Sequence, residues 1–299
     1  MSFNDDVQLD TSQVEAGGRG GMGGGGMLLG GGLGGGGLLL VVVLSLLGVI
    51  NPSSVLGGGD SSPGTGQDPQ VTSSCRTGAD ANRDVRCRVV GTVNSVQDFW
   101  ADELPKHGVD YQPVRTTLYS GQTQSACGTA SNAVGPFYCP TDAKVYIDAS
   151  FFDELTSRFG ADDGKLAQEY VVAHEYGHHV QDLLGTLQAA QSDREGATSG
   201  SVRVELQADC YAGMWARGAA TTQDASGETY LKPLTQQDIQ SALSAASAVG
   251  DDRIQQQSQG QVDPESWTHG SSAQRQRWFT VGYQYGSLDR CDTLHASSL

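Results

Sequence analysis

Between Gly20 and Gly59 not one residue is charged, and glycine and aliphatic side chains fill most of the interval. A water-soluble helix or strand needs polar positions at a regular period, and this interval offers none. It divides the chain into a short leader and a long body. Its densest part, "LLLVVVLSLLGVI" (Leu38–Ile50), is short for a bilayer by itself. With "MLLGGGLGGGG" before it, the uncharged stretch exceeds the ~20 residues that a spanning helix needs. Glycine weakens helices in water and is better tolerated in membrane spans. Residues 28–50 are therefore read as a single-pass membrane anchor. A Gly-rich segment (1–27) precedes it, and a flexible Gly/Ser/Pro tether (51–70) follows. Two alternatives stay open at this point. A cleaved signal peptide should have a basic leader, whereas this one carries Asp5, Asp6, Asp10 and Glu15 against Arg19. A buried core helix would need amphipathic flanks, and none are present.

From about residue 71 to residue 299 the composition is that of one globular domain. All six cysteines (Cys75, Cys87, Cys127, Cys139, Cys210, Cys291) lie there. An even set confined to one side of an anchor points to disulfides and an extracytoplasmic location. Local pairs Cys75–Cys87 and Cys127–Cys139 would leave Cys210 with Cys291; free buried thiols are the alternative. No C-x-x-C occurs, which argues against cysteine ligation of a metal. The net charge is −16 with no basic stripe. That balance argues against nucleic-acid binding and against docking on anionic lipid.

Periodicity predicts a mostly helical α+β domain. "VNSVQDFWADELPKHG" puts Val93, Val96, Phe99, Trp100 and Leu104 on one helical face. "VRTTLYSG" and Lys144–Asp148 read as strands, with a turn at Cys139–Asp142 between "GPFY" and the second of them. "KLAQEYVVAHEYGHHVQDLLG" is the strongest helix and ends at Gly185. "SVRVELQADCYAGMWARGA", "LTQQDIQSALSAASAVG" and "SSAQRQRWFTVGYQYG" follow as helices, the middle one opened by a Thr235/Asp238 capping box.

The chemistry concentrates in "AHEYGHHVQD". His174 and His178 stand at i and i+4, so a helix puts both imidazoles on one face, within reach of one ion. Glu175 follows the first histidine, where its carboxylate reaches a water on that ion. This is the H-E-x-x-H arrangement, two ligands and a general base from one helical turn, and zinc suits it. The flanking Tyr170, Val171, Val172, Tyr176 and Val180 make the helix apolar, where unpaired imidazoles would cost stability. Gly177 permits close approach by another element. An extension with glycine and a third histidine is absent, since Gln181 and Leu184 occupy those positions. "VELQADC" offers instead Glu205 as the third ligand and Asp209, four residues on, to orient a ligand histidine.

"HEYGHHVQ" together with "ELQADCYAG" resembles the glutamate-zincin metallopeptidases and, more narrowly, a bacterial family of neutral zinc metallopeptidases. "ACGTASNAVGPFYCPTDAKVYIDASFFDEL", "GDDRIQ" and "THGSSAQRQRWF" extend the similarity over nearly everything after the tether. The resemblance implies a zincin-like fold, a Zn2+ cofactor and peptide or protein substrates in the cell envelope. It also implies metal-assisted hydrolysis with Glu175 as base. His269 is the candidate oxyanion donor, with Tyr211 and Tyr146 behind it; a capping or core role is the alternative for His269. Strand "KVYID" is either an edge that pairs with substrate or an interior strand. Arg253 is a candidate to hold the second metal helix through an acidic partner. His179, His107 and His295 read as structural or surface residues. Two other functions compete: an envelope binding module whose zinc is structural, and a zinc amidase acting on cell-wall material. The intact Glu175 favours an enzyme. Oligomeric state is not legible.

Overall fold

The computed structural model describes residues 2–17, 69–131 and 134–299. The expected anchor at 28–50 and the tether up to residue 68 lie outside the described residues. Among the described residues no helix is long and apolar enough to cross a membrane.

The protein is α+β and mostly helical. In chain order its regular elements are β1 (Val14–Ala16), α1 (Pro69–Ser74), α2 (Gly78–Arg83), α3 (Val85–Glu103), β2 (Arg115–Tyr119), β3 (Gln122–Ser125), β4 (Gly128–Ser131) and β5 (Phe137–Cys139). Then come β6 (Lys144–Asp148), α4 (Phe151–Ser157), α5 (Lys165–Leu184), α6 (Ala189–Ser192), α7 (Gly200–Gly218), α8 (Gln236–Ala248), α9 (Asp251–Gln259) and α10 (Ser272–Tyr285). The sheet order is β1-β2-β6-β5, with β1, β2 and β6 parallel and β5 antiparallel to β6. Strands β3 and β4 form a separate hairpin. Strand β6 ("KVYID") is thus interior, which removes it as a substrate-pairing edge; β5 is the edge nearest α5.

Helix α5 runs through the middle. Its Leu166, Tyr170, Val172, Tyr176 and Val180 are all buried, packed among α3, α7, α8 and the sheet. It stops where Gly185 turns left-handed (φ 71°) and its N–H caps the carbonyls of Gln181 and Asp182. Helix α7 starts where the Ser199 hydroxyl accepts from Val202 N–H, and α8 starts with the Thr235/Asp238 box. Helices α7 and α10 touch backbone to backbone, since any Cβ at Gly282 would collide with the Cys210 carbonyl. Trp100, Trp215 and Phe279 are fully buried and Trp278 nearly so. The disulfides are Cys75–Cys87, Cys127–Cys139 and Cys210–Cys291. They tie α1 to α3, the hairpin region to β5, and α7 to the C-terminal tail.

The first residues depart from the sequence reading. Read as part of a separate leader, residues 2–17 form an arm that shares the core of the body. Phe3 and Val7 are fully buried and Val14 is 2% exposed. Strand β1 pairs with β2, and the buried Glu15 carboxylate accepts from Lys144 and from the Thr117 hydroxyl (3.0 Å). A domain boundary at residue 71 leaves this arm out.

Glu169, on α5, is fully buried, and among the described residues neither carboxylate oxygen has a hydrogen-bond partner. Burial raises its carboxyl to about 7 from an ordinary 4.5, against the opposing fields of Arg88 and Lys165. With the folded value above the unfolded one, the folded state holds the extra proton between about 4.5 and 7, and stability falls as pH rises through that window. The loss at pH 8 is about 3 kcal/mol. Glu169→Gln should therefore melt higher than the parent at pH 8 and close to it at pH 4.5. Parallel melting curves across that range would contradict this.

Candidate metal centre

Helices α5 and α7 cross at Gly177, where a Cβ would stand 3.0 Å from the Cα and carbonyl oxygen of Ala208. The missing side chain lets the backbones close up, and it brings Glu205, one turn before Ala208, onto the face of His174 and His178. His174 Nε2 lies 3.2 Å from Glu205 Oε2, and His178 Nε2 lies 3.6 Å from Glu205 Oε1. The ligand atoms of the three residues are all within 4.8 Å of one another. A tetrahedral zinc with bonds of ~2.0–2.1 Å separates its ligand atoms by about 3.3 Å, so this His-His-Glu set fits the ion. Among the described residues no other histidine, cysteine or carboxylate joins the group. Three protein ligands with one position left over is the pattern of a catalytic site, as opposed to a closed structural one.

Each imidazole is turned by a contact on its far nitrogen. His174 Nδ1 faces Asp209 Oδ1 at 2.9 Å, and His178 Nδ1 faces Gln181 Oε1 at 2.8 Å. With Nδ1–H donated outward, both Nε2 lone pairs point at the centre. Asp209 is fully buried, and Arg275 grips it bidentately from α10, Nε to Oδ2 at 2.9 Å and Nη2 to Oδ1 at 3.0 Å. The Tyr170 hydroxyl also donates to Asp209. Burial would raise the Asp209 carboxyl, but Arg275 and His174 hold it below the ordinary range. Glu205 is likewise held down, against burial, by His178, His269 and His174. Burial alone would lower the His174 pKa, yet Asp209 and Glu205 push it up to about 10. Zinc thus competes with a proton for this imidazole. Glu175 is 7% exposed, and burial raises its carboxyl against the pull of His174 and His178.

His269 is buried beside the same centre. Asp251, at the start of α9, accepts the backbone N–H groups of Thr268 (2.8 Å), His269 (2.7 Å) and Gly270 (3.0 Å) through Oδ2. Its Oδ1 lies 3.3 Å from His269 Nδ1, which also meets the Thr268 hydroxyl at 2.9 Å. One carboxylate therefore fixes both the loop and the ring. Burial lowers the His269 pKa, but Glu205 and Asp251 outweigh it and raise the value above normal.

Other expected residues lie elsewhere or serve the fold. The Tyr146 hydroxyl donates to Asp142 (2.7 Å), and the Tyr211 ring packs edge-on against Trp100. His179 is 2% exposed, held by the Gln112 carbonyl (2.7 Å) and the Tyr138 hydroxyl (3.2 Å). His107 and His295 meet Glu103 and Asp292 at the surface. Arg253 donates to the Gly160 carbonyl (3.2 Å) at the surface, and among the described residues no ion pair links it to α7.

Sequence reasoning missed Gln181, Tyr170, Asp251 and Arg275. Gln181 had a signal, since it stands three residues after His178 on the same helical face. Arg275 had none, lying among polar neighbours in "SAQRQRW" and far along the chain from Asp209.

Uncharacterized proteins Rv2575 of Mycobacterium tuberculosis and Mb2605 of Mycobacterium bovis are each 58% identical over 228 residues, 76% of this chain and 76% of theirs. Uncharacterized protein YpfJ of Escherichia coli K12 is 45% identical over 208 residues, 68% of this chain and 69% of its own. No solved structure matches the chain significantly. The family described as "Putative neutral zinc metallopeptidase" matches residues 5–294. The chain belongs to that family.

Proposed function

We propose that this protein is a zinc metallopeptidase of zincin-like fold, working outside the cytoplasm and attached to the membrane through residues 28–50. The observation that carries the proposal is Glu175. It is a buried carboxylate adjoining a three-ligand donor set that leaves a coordination position open. A structural zinc site has no use for such a base.

Zinc bound by His174, His178 and Glu205 would supply Lewis acidity and an acidified water. Glu175 takes the proton of the attacking water and returns it to the departing amine; its raised pKa suits a group that must both accept and release. His269, fixed by Asp251 and carrying a raised pKa, offers Nε2–H to the developing oxyanion. Asp209 and Gln181 keep the ligand imidazoles in the tautomer that exposes Nε2. Three disulfides support an oxidising compartment. Unfolded proteins or peptides of the envelope are the substrates this reading favours.

The test is digestion of a diverse peptide mixture by the full chain, zinc-loaded in detergent, with cleavage products read by mass spectrometry. Cleavage should vanish on chelation and return with zinc. A folded, zinc-loaded chain that cuts no peptide bond would overturn the peptidase reading and leave a binding module or an amidase acting on cell-wall material.

A further inference from the structure

The C-terminal part of the chain supplies no metal ligand, yet the outer contacts of both ligand histidines lead back to it. From His174 the path runs through Asp209 to Arg275 on α10. From His178 it runs through Gln181 to Gln207, one turn on from Arg203 along α7. Gln181 Nε2 donates to the Val204 carbonyl (2.6 Å) and to Gln207 Oε1 (3.1 Å), and the Thr186 hydroxyl donates to the same oxygen (3.0 Å). Gln207 Nε2 then donates to the carbonyl of Cys291 at 3.0 Å.

That last carbonyl belongs to a half-cystine. Cys210–Cys291 ties the tail covalently to α7 three residues beyond Gln207. Arg203 Nη1 adds hydrogen bonds to the carbonyls of Thr293 and Ala296 (3.0 Å for the latter), and the Thr293 hydroxyl donates back to the Arg203 carbonyl (2.6 Å). Gln207 is 4% exposed and Gln181 fully buried, so water does not readily substitute for a lost partner. A Gln207 amide that has lost its acceptor at the Cys291 carbonyl is free to rotate. Gln181 then keeps only the Val204 carbonyl of the two contacts that turn its oxygen, and not its nitrogen, toward His178.

We propose that the disulfide-pinned tail is the positioning element of the metal centre: Cys291, through Gln207 and Gln181, fixes the His178 imidazole, as Arg275 fixes His174 through Asp209. This rests on the zinc site proposed above. Its consequence is that removing Cys210–Cys291 loosens the metal although no ligand has changed.

The test compares zinc affinity, by chelator competition, for the full-length parent, Gln207→Met, and the Cys210→Ala/Cys291→Ala pair with and without Gln207→Met. Methionine keeps the shape and removes all three amide hydrogen bonds. The expected result is a 10- to 100-fold weaker Kd for Gln207→Met, the range for lost outer contacts at metal sites. The zinc-free chain should remain folded with a melting temperature lowered by several degrees, since buried partners of Gln207 are left unsatisfied, and the cobalt-substituted protein should show a changed ligand-field spectrum. In the disulfide-free background the affinity should already be lower, and Gln207→Met should add little. Arg275→Lys, which keeps the charge and loses the fork, should weaken binding through His174 independently. Parent-like zinc affinity and cobalt spectrum in a folded Gln207→Met chain would overturn the relay while leaving the zinc site standing. A parent that binds no zinc at His174, His178 and Glu205 would overturn both.

Discussion

Removing residues 2–17 leaves a body that does not fold stably, and Phe3→Ala alone should lower the melting temperature by roughly 10 °C. The basis is the position of Phe3. Its ring is fully buried against Gly91 of α3, where an added Cβ would come within 2.7 Å of it. Its backbone N–H and carbonyl are both held by the Asn82 side chain, at 2.9 and 3.0 Å. Truncating a buried phenylalanine costs about 3–5 kcal/mol, and each kcal/mol is worth roughly 2–4 °C in a domain this size. Deleting the whole arm also removes Val7, Val14, strand β1 and the carboxylate that Lys144 faces. A total stability of about 5–15 kcal/mol does not absorb that. Differential scanning of the full chain, Phe3→Ala and the truncated chain gives the answer; a truncated chain melting like the parent would contradict it.

The arm also bears on topology. With Val14–Ala16 paired to β2, residues 17 and 71 share one compartment in the folded protein. In membranes carrying the full chain, an impermeant thiol label at Asp6→Cys should react from the side occupied by the disulfide-bonded body. Reaction only from the opposite side would contradict the seating of the arm on the body.

What the sequence revealed, and what it hid, divides along the range of the interactions. Helix α5 was legible because apolar residues recur around its whole circumference, and Gly185 ends it. The His174/Glu175/His178 group was legible because one helical turn brings the three together. Glu205 and Asp209 were legible because four residues on an apolar helix is again a local relation. The first two turns of α3 were not legible, since Arg86, Arg88 and Gly91 break the apolar period. The reason for Gly91 lies far away in the chain, in the ring of Phe3. The arm was hidden for the same reason: "DDVQLDTSQVEA" carries mostly polar residues, and it is ordered by partners such as Asn82, Asn94 and Leu118 that only the fold supplies. Arg275, Asp251 and Gln207 act on the metal centre from positions that no periodicity connects to it.

Glu175→Gln carries the largest expected effect on chemistry. Glutamine keeps the size of the side chain and cannot take a proton, while the three ligand residues and their outer contacts stay in place. General-base catalysis is worth about 10^2- to 10^4-fold, so hydrolysis should fall by that amount with the zinc content unchanged. An effect on the fold is not expected, because the buried carboxylate already sits above its ordinary pKa and its neutral replacement relieves desolvation. A loss of zinc together with activity would instead mark Glu175 as a ligand.

The decisive measurement runs parent and Glu175→Gln side by side, both full-length and each shown to hold one zinc per chain, against the same peptide mixture. The account predicts a set of cuts made by the parent and lost, or slowed at least about a hundredfold, in the variant. Equal cutting by both chains would mean that the hydrolysis does not arise at His174, His178 and Glu205, and the central claim would fall.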